Sequence, residues 1–252
     1  MRLCLLCLFA CDVPCATCNE VKLLFSHNDS FNALQEFAAT LNNYKNASHK
    51  CHLKEFGSGW GMHYLCDHDI RDKCHFLSFG INSDYSFDES LARDKNCSGI
   101  ALDPTVDHPM KLTEGVIFLK AGANSPGNQS SWVSWSVPHL RKWLGHPLYA
   151  LKMDCEGCEY SLADDILRED PLFFRHVYQL NIEIHIPRSF MSLDSVYSLG
   201  RLYRLLTLAN MKLVHVDDGK CGPKDQRGGC QDLIIQAGIP CVPGCRSYLF
   251  SH

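Results

Sequence analysis

The sequence predicts an α/β fold, a mainly parallel sheet with helices on both faces, and three observations lead there. Seven short apolar runs recur between residues 74 and 236, helical stretches separate several of them, and chemically capable polar residues stand directly after the runs. Near-continuous apolar strands are those buried on both faces, and strand, helix, strand alternation gives parallel pairing. In such a sheet a ligand sits at the carboxyl ends of the strands, where the strand order reverses.

Residues 30–41 read as an amphipathic helix with Phe31, Leu34, Ala38 and Leu41 on one face and Ser30 as its cap. The glycine-rich stretch 57–61 reads as a loop. Strands follow at 74–79, 99–102, 115–119, 149–153, 179–184, 212–216 and 232–236, with helices at 86–94, 137–145, 159–168 and 193–210.

The chain of 252 residues is 46% hydrophobic and 21% charged, with a net charge of -4, which fits a globular protein and excludes a disordered one. Its Lys and Arg residues are scattered, so there is no electrostatic footprint for a nucleic acid partner. Fifteen cysteines are the unusual count, and five of them, Cys4, Cys7, Cys11, Cys15 and Cys18, fall in residues 1–18. There Arg2 precedes a short apolar run, the pattern of a secretory signal peptide or of the remnant of an anchor. Cleavage before Asn19 leaves ten cysteines, an even number as pairing requires. Acceptor patterns at Asn28, Asn46, Asn96 and Asn128 point the same way. The expected location is therefore the secretory pathway, in the Golgi or endoplasmic reticulum lumen or outside the cell, with membrane contact only through an N-terminal anchor.

Residues 19–73 read as an N-terminal extension with a helix and a Cys/His/Gly-rich loop, and residues 74–252 as the catalytic domain. Across the boundary between the two, His63, Cys66, His68, Cys74 and His75 have a metal-like composition, but their spacing matches no zinc template. A disulfide such as Cys66 with Cys74 is the preferred reading, and no metal is expected. Cys155 and Cys158 read as structural thiols or a local disulfide ahead of a redox or zinc pair. Cys221, Cys230, Cys241 and Cys245 lie among Gly and Pro as loop staples would.

The first strand runs into Gly80, where a glycine lets the backbone approach a ligand closely, and the next helix offers its N-terminal amides. Asp103 follows the second strand, 23 positions after Gly80, the spacing at which a nucleotide-binding crossover places the acid that accepts from ribose hydroxyls. The fourth strand ends in Asp154-Cys155-Glu156-Gly157-Cys158-Glu159, and the fifth carries Glu183 and His185. Taken singly, Asp154 is equally an N-cap and His185 a packed imidazole; their joint placement on one crevice makes the case.

At these residues the sequence resembles the FkbM-like class of methyltransferases, and more closely its eukaryotic branch with an N-terminal signal or anchor. The stretches 79–88, 102–104, 151–160 and 179–185 carry the resemblance, of which Lys-Met-Asp-x-Glu-Gly-x-Glu is the most specific, and the set runs in order from residue 79 to residue 185. The resemblance implies the Rossmann-like, seven-stranded class I methyltransferase fold with its last strand antiparallel, and S-adenosylmethionine (SAM) as cofactor. It implies that Phe79, Gly80, Ile81 and Asn82, with Asp88, line the methionine part and that Asp103 holds the ribose. Asp154 stands by the cofactor's amino acid moiety or the acceptor, and Glu156, Glu183 and His185 face the acceptor. The chain departs from the common pattern in carrying Ser78 before a single glycine, where an acid and further glycines are usual. The expected activity is O-methylation of a glycan or other small polar acceptor, with His185 or a neighbouring carboxylate as base. The rivals are a disulfide-stapled binding protein that keeps the fold without turnover, and a zinc protein built on the His/Cys cluster.

Overall fold

The computed structural model describes residues 25–44, 51–69, 73–107, 112–124, 132–185, 192–217, 236–238 and 245–252. The expected signal or anchor segment lies outside these residues, as do Asn46, Asn128, Cys221, Cys230 and Cys241.

The chain opens with helix α1 (His27–Asn43) and a hairpin, β1 (Leu53–Phe56) and β2 (His63–Cys66), joined through a 3-10 turn at Gly59–Gly61. The main sheet then begins with β3 (Cys74–Phe79), helix α2 (Ser86–Lys95), β4 (Cys97–Leu102) and β5 (Val116–Leu119). A two-residue ladder, β6 (Gly122–Ala123) with β7 (Ser134–Trp135), precedes α3 (Val137–Leu144) and β8 (Leu148–Met153). The rest is α4 (Leu162–Glu169), β9 (Val177–His185), α5 (Leu193–Leu208), β10 (Lys212–Asp217) and β11 (Cys245–Ser251).

Seven strands form the main sheet in the order β10-β11-β9-β8-β3-β4-β5. Numbered within that sheet the order is 6-7-5-4-1-2-3, and β11 runs antiparallel to both of its neighbours while β3, β4, β5, β8 and β9 pair in parallel. This is the Rossmann-like class I methyltransferase fold. The strand order reverses between β3 and β8, so the crevice opens above their carboxyl ends. Every residue of β8 is buried and β9 is buried over most of its length, as central strands covered on both faces are.

The antiparallel seventh strand is Cys245–Ser251, which starts at one of the cysteines expected to staple loops. Its Cys-Arg-Ser-Tyr-Leu-Phe-Ser pattern carries only three large apolar residues, too few to stand out beside the Leu-Ile-Ile run expected there. Residues 232–235 lie outside the described residues, and Gln236 is not in a strand.

One face of the sheet is covered by α1, α3, α4 and α5, which share a core with Leu77, Phe79, Leu151, Met153, Leu180 and Ile182. Helix α1 is wider than expected and is capped by Ser26, whose hydroxyl accepts from the Asp29 amide; Ser30, the expected cap, is buried in its first turn. Such a cap stabilises a helix by about 1 kcal/mol. Helix α1 packs so closely on α5 that a Cβ at Gly200 would lie 2.1 Å from the Ser30 carbonyl. Arg204 donates to both Asp29 and Glu36 across that contact.

The hairpin and α2 cover the opposite face around Phe56, Leu65, Phe76, Phe87 and Leu91. Two disulfides brace this side. Cys51–Cys66 closes the hairpin at a Cα separation of 5.5 Å, and Cys74–Cys97 joins the paired first residues of β3 and β4 at 4.4 Å. The expected Cys66–Cys74 pairing is therefore replaced by two others: Cys51 lies just before β1, whose Leu53 pairs with Cys66, and Cys74 and Cys97 are register partners, neither of which spacing alone reveals. A cross-link over 15 residues, as in Cys51–Cys66, is worth about 3 kcal/mol in loop entropy. With Cys66 and Cys74 oxidised, His63 packed on Phe87 and His75 stacked on His146, the His/Cys cluster offers no zinc-ligand set. Among the described residues, no helix is long and apolar enough to cross a membrane.

Candidate active site

The site is built on the hairpin-covered face of the sheet, at the carboxyl ends of β3, β4, β8 and β9. Because side chains alternate along a strand, Ser78, Lys152, Asp154, Asn181, Glu183 and His185 all project to this face. Lysine 152 is 4% exposed within an otherwise apolar strand. A buried ammonium must be paired, and its Nζ donates to the carbonyls of Phe79 (3.1 Å) and Gly80 (2.7 Å) and lies 3.9 Å from Asp154 Oδ2.

Gly80 has φ +72°, and a Cβ there would lie 1.5 Å from the Asp154 carbonyl oxygen. The first strand therefore turns directly against the end of the fourth, an approach only glycine allows. Asn82 and Ser83 continue the turn at positive φ, 40° and 66°. Asp103, 4% exposed, clamps the turn from β4: its Oδ2 accepts from the Asn82 amide (2.8 Å) and its Oδ1 from the amide and hydroxyl of Thr105. Phe79 and Ile81 are buried below the turn, and Asn82 is exposed on it. Asp88 sits beneath the turn on α2 at 1% exposure, away from the crevice surface.

Burial pushes the Asp88 carboxyl up, the Lys152 charge and the Ser78 hydroxyl oppose it, and the net result is a pKa of about 6. Neither Asp88 oxygen has a hydrogen bond of good geometry. At pH 7 the folded chain thus holds a desolvated carboxylate that the unfolded chain keeps in water, at a cost of about 2–3 kcal/mol. Asp88→Asn is expected to be the more stable protein at pH 7, with the difference shrinking as pH falls from 6 through 4, where the native carboxyl and then the unfolded one protonate. Urea unfolding at the two pH values measures this; a destabilised Asp88→Asn at pH 7 would contradict it.

Beyond β8 the chain makes a tight turn through Asp154, Cys155, Glu156 (φ +51°) and Gly157 (φ +124°), closed by the disulfide Cys155–Cys158. A 3-10 turn, Cys158–Tyr160, follows, and α4 begins only at Leu162, later than the expected 159. Glu159, 1% exposed, is thereby turned inward. Its Oε2 accepts from the Gly157 amide (2.8 Å), and its Oε1 faces both the His185 amide (3.0 Å) and His185 Nδ1 (3.3 Å). The other ring nitrogen, Nε2, lies 3.4 Å from Glu183 Oε1 and 3.9 Å from Asp154 Oδ1. Glu183 is fixed in turn by the Ser247 hydroxyl, which donates to its Oε2 at 2.9 Å. Burial alone would lower the His185 pKa, but the hydrogen bond to Glu159 and the charges of Glu159, Glu183 and Asp154 overcome it and raise it to about 9.

Of the residues singled out in the sequence, Asp154, Glu183 and His185 converge; Glu156 is exposed on the strained bend and is not part of that cluster. Sequence reasoning missed two participants. Glu159 was assigned to a regular helix, although its place five residues after Asp154 in the most specific motif was a signal. Lys152 was also missed, although a charge inside a central apolar strand demands a buried partner.

The hairpin forms the wall on one side. Gln179 exchanges hydrogen bonds with the backbone of Cys66, and Asn181 donates to the Tyr64 carbonyl, so β2 lies across β9 through side-chain amides. At the start of β2 lies the hairpin turn. There the Gly61 amide donates to Asp84 Oδ2 (2.7 Å), while Asp84 Oδ1 accepts from the Ser86 amide at the start of α2. The turn is thus anchored beside the glycine loop, with Trp60 exposed at its tip.

No protein-family model and no curated protein matches the chain. Among solved structures it is similar to the Methanococcus jannaschii fibrillarin pre-rRNA processing protein, at TM-score 0.39 and 10% identity, over 81% of this chain and 85% of that one. It is also similar to the plantazolicin methyltransferase BpumL in complex with SAH, at TM-score 0.33 and 10% identity, over 100% of this chain and 95% of that one.

Proposed function

We propose that the chain is a SAM-dependent methyltransferase that methylates a hydroxyl of a glycan or other small polar acceptor in the secretory pathway. The observation that carries this reading is the convergence of Asp154, Glu183 and His185 beside the Gly80 turn, at the point where the strand order reverses. The donor set suits the cofactor. SAM bears a sulfonium, an ammonium and ribose hydroxyls, and the crevice presents Asp84, Asp103, Asp154, Glu159 and Glu183 against Lys152 and His185, an excess of negative charge. The turn at Phe79, Gly80, Ile81 and Asn82 would hold the methionine part, with Asp88 supporting it from below, and Asp103 the ribose. Bound there, the cofactor supplies an electrophilic methyl group.

The chain's own task is then to align the acceptor and remove its proton. With a pKa of about 9, His185 already carries a proton at neutral pH and is not the resting base. Its imidazolium instead balances the carboxylates around it. Of the two carboxylates at Nε2, Asp154 is the more accessible, with 27% of its side chain exposed against 8% for Glu183, so Asp154 takes the acceptor proton. Glu183 and His185 face the acceptor from β9, and Glu159 positions His185. A lumenal location is supported by three disulfides and by the exposure of Asn28 and Asn96 in their acceptor patterns.

A non-catalytic binding protein on the same fold is the second reading, and one observation favours it. The Phe79 and Gly80 carbonyls and both Asp103 oxygens already have partners within the chain, Lys152, Asn82 and Thr105. Calorimetry with SAM and S-adenosylhomocysteine (SAH) on the oxidised protein separates the two: binding that Asp103→Ala weakens is expected, and no binding contradicts the methyltransferase reading.

A further inference from the structure

We propose that Cys155–Cys158 is a redox-active site that exchanges with a dithiol and governs His185 through Glu159. The sequence pattern favoured a structural pair; the placement of the three disulfides argues otherwise. Cys51–Cys66 and Cys74–Cys97 close separations of 15 and 23 residues, join different segments, and bury Cys66, Cys74 and Cys97. Cys155–Cys158 closes a separation of 3 residues within one turn, so it removes little chain entropy and ties no second element to the fold. It sits instead in the candidate active site, between Asp154 and Glu159, and Cys155 is partly exposed at the crevice while Cys158 is buried.

Exposure sets the direction of exchange. A thiolate of an external dithiol attacks Cys155 Sγ, the bond to Cys158 Sγ breaks, and Cys158 leaves as a thiolate that takes a proton. The second thiol of the reagent then displaces Cys155, which is protonated in turn. The chain gains two electrons and two protons, and the dithiol leaves as its disulfide.

Reduction alters Glu159 directly. Cys155, Cys158 and Glu159 present their sulfur and oxygen atoms within 4.8 Å of one another, so two thiols become new donors for a carboxylate that now serves Gly157 and His185. The bend at Glu156 and Gly157 also loses its closure. Glu159 then holds His185 less firmly, while Asp154 at the end of β8 and Glu183 on β9 remain in place, so the imidazolium keeps two of its three carboxylate partners and is stabilised less than in the oxidised form.

The consequence for methyl transfer rests on the proposed function; the exchange and its effect on His185 do not. In the test, the full-length oxidised protein is equilibrated with dithiothreitol at graded ratios to its oxidised form, trapped by alkylation, and mapped by peptide mass. Cys155 and Cys158 are expected to open at ratios at least about ten-fold lower than the other two disulfides. Proton NMR of the His185 ring in both forms is expected to show its titration about one pH unit lower after reduction. Opening no earlier than the other disulfides, or a His185 titration that does not move, would overturn the proposal. The variant Cys155→Ser/Cys158→Ser reports the open form independently, and reduced wild-type protein gives the readout if that variant does not fold. SAH binding measured alongside keeps the two claims apart: its absence in both forms sinks the methyltransferase reading and leaves the His185 result standing.

Discussion

Asp154→Asn is expected to lower turnover by about 10²–10⁴ while changing SAH affinity little, because the variant keeps the shape of the residue and removes its capacity to take a proton. The expectation follows from three positions. His185 is protonated at neutral pH, Glu183 is held by Ser247 and mostly covered, and Asp154 alone of the three carboxylates around the imidazole combines accessibility with a place at the end of β8. Glu183→Gln is expected to lower turnover as well, since it takes a charge from the group that balances His185. The measurement is the mass gain of one methyl group on a panel of neutral glycans and lipids. An unchanged rate in Asp154→Asn would remove that residue from the chemistry.

Gly80→Ala is expected to cost the fold at least about 3 kcal/mol and to abolish SAH binding. Two penalties combine there: the backbone is left-handed at φ +72°, and the added methyl would meet the Asp154 backbone carbonyl at 1.5 Å, with no flexible side chain able to yield. Gly145 provides the control. It has the same φ of +72° at the end of α3 but nothing within 4 Å of the place a Cβ would take, so Gly145→Ala should cost only the left-handed strain, about 1–2 kcal/mol. Urea unfolding of both variants reads the difference. Equal losses would mean that β3 and β8 do not approach as described.

What was legible in the sequence was whatever a single strand or turn announces by itself. The strands β3, β4, β5, β8, β9 and β10 are short apolar runs between turns, and each appears within a few residues of its expected place. Gly80, Asp103, Asp154, Glu183 and His185 were visible because each follows or ends such a run. What escaped depends on contacts between distant segments. The hairpin 53–66 has mixed composition and is held by Gln179 and Asn181, more than 110 positions away. The pairing Cys74–Cys97 follows from the register of β3 with β4, which spacing does not encode. Glu159 escaped because local helix periodicity and tertiary role compete at that position: the strained bend and the disulfide delay α4 and turn the carboxylate toward His185. Strand β11 escaped because Arg246 and Ser247 open it and only Tyr248, Leu249 and Phe250 follow as an apolar run, shorter than the runs that marked the other strands.

The central claim is that the carboxyl end of the sheet between β3 and β8 holds SAM. Calorimetric titration of the oxidised protein with SAH tests it most directly. One SAH per chain is expected, with affinity reduced about ten-fold or more in Asp103→Ala, which removes the acid at the end of β4, and retained in Asp154→Asn. No heat of binding in the wild-type protein, or binding that Asp103→Ala leaves unchanged, would contradict the account.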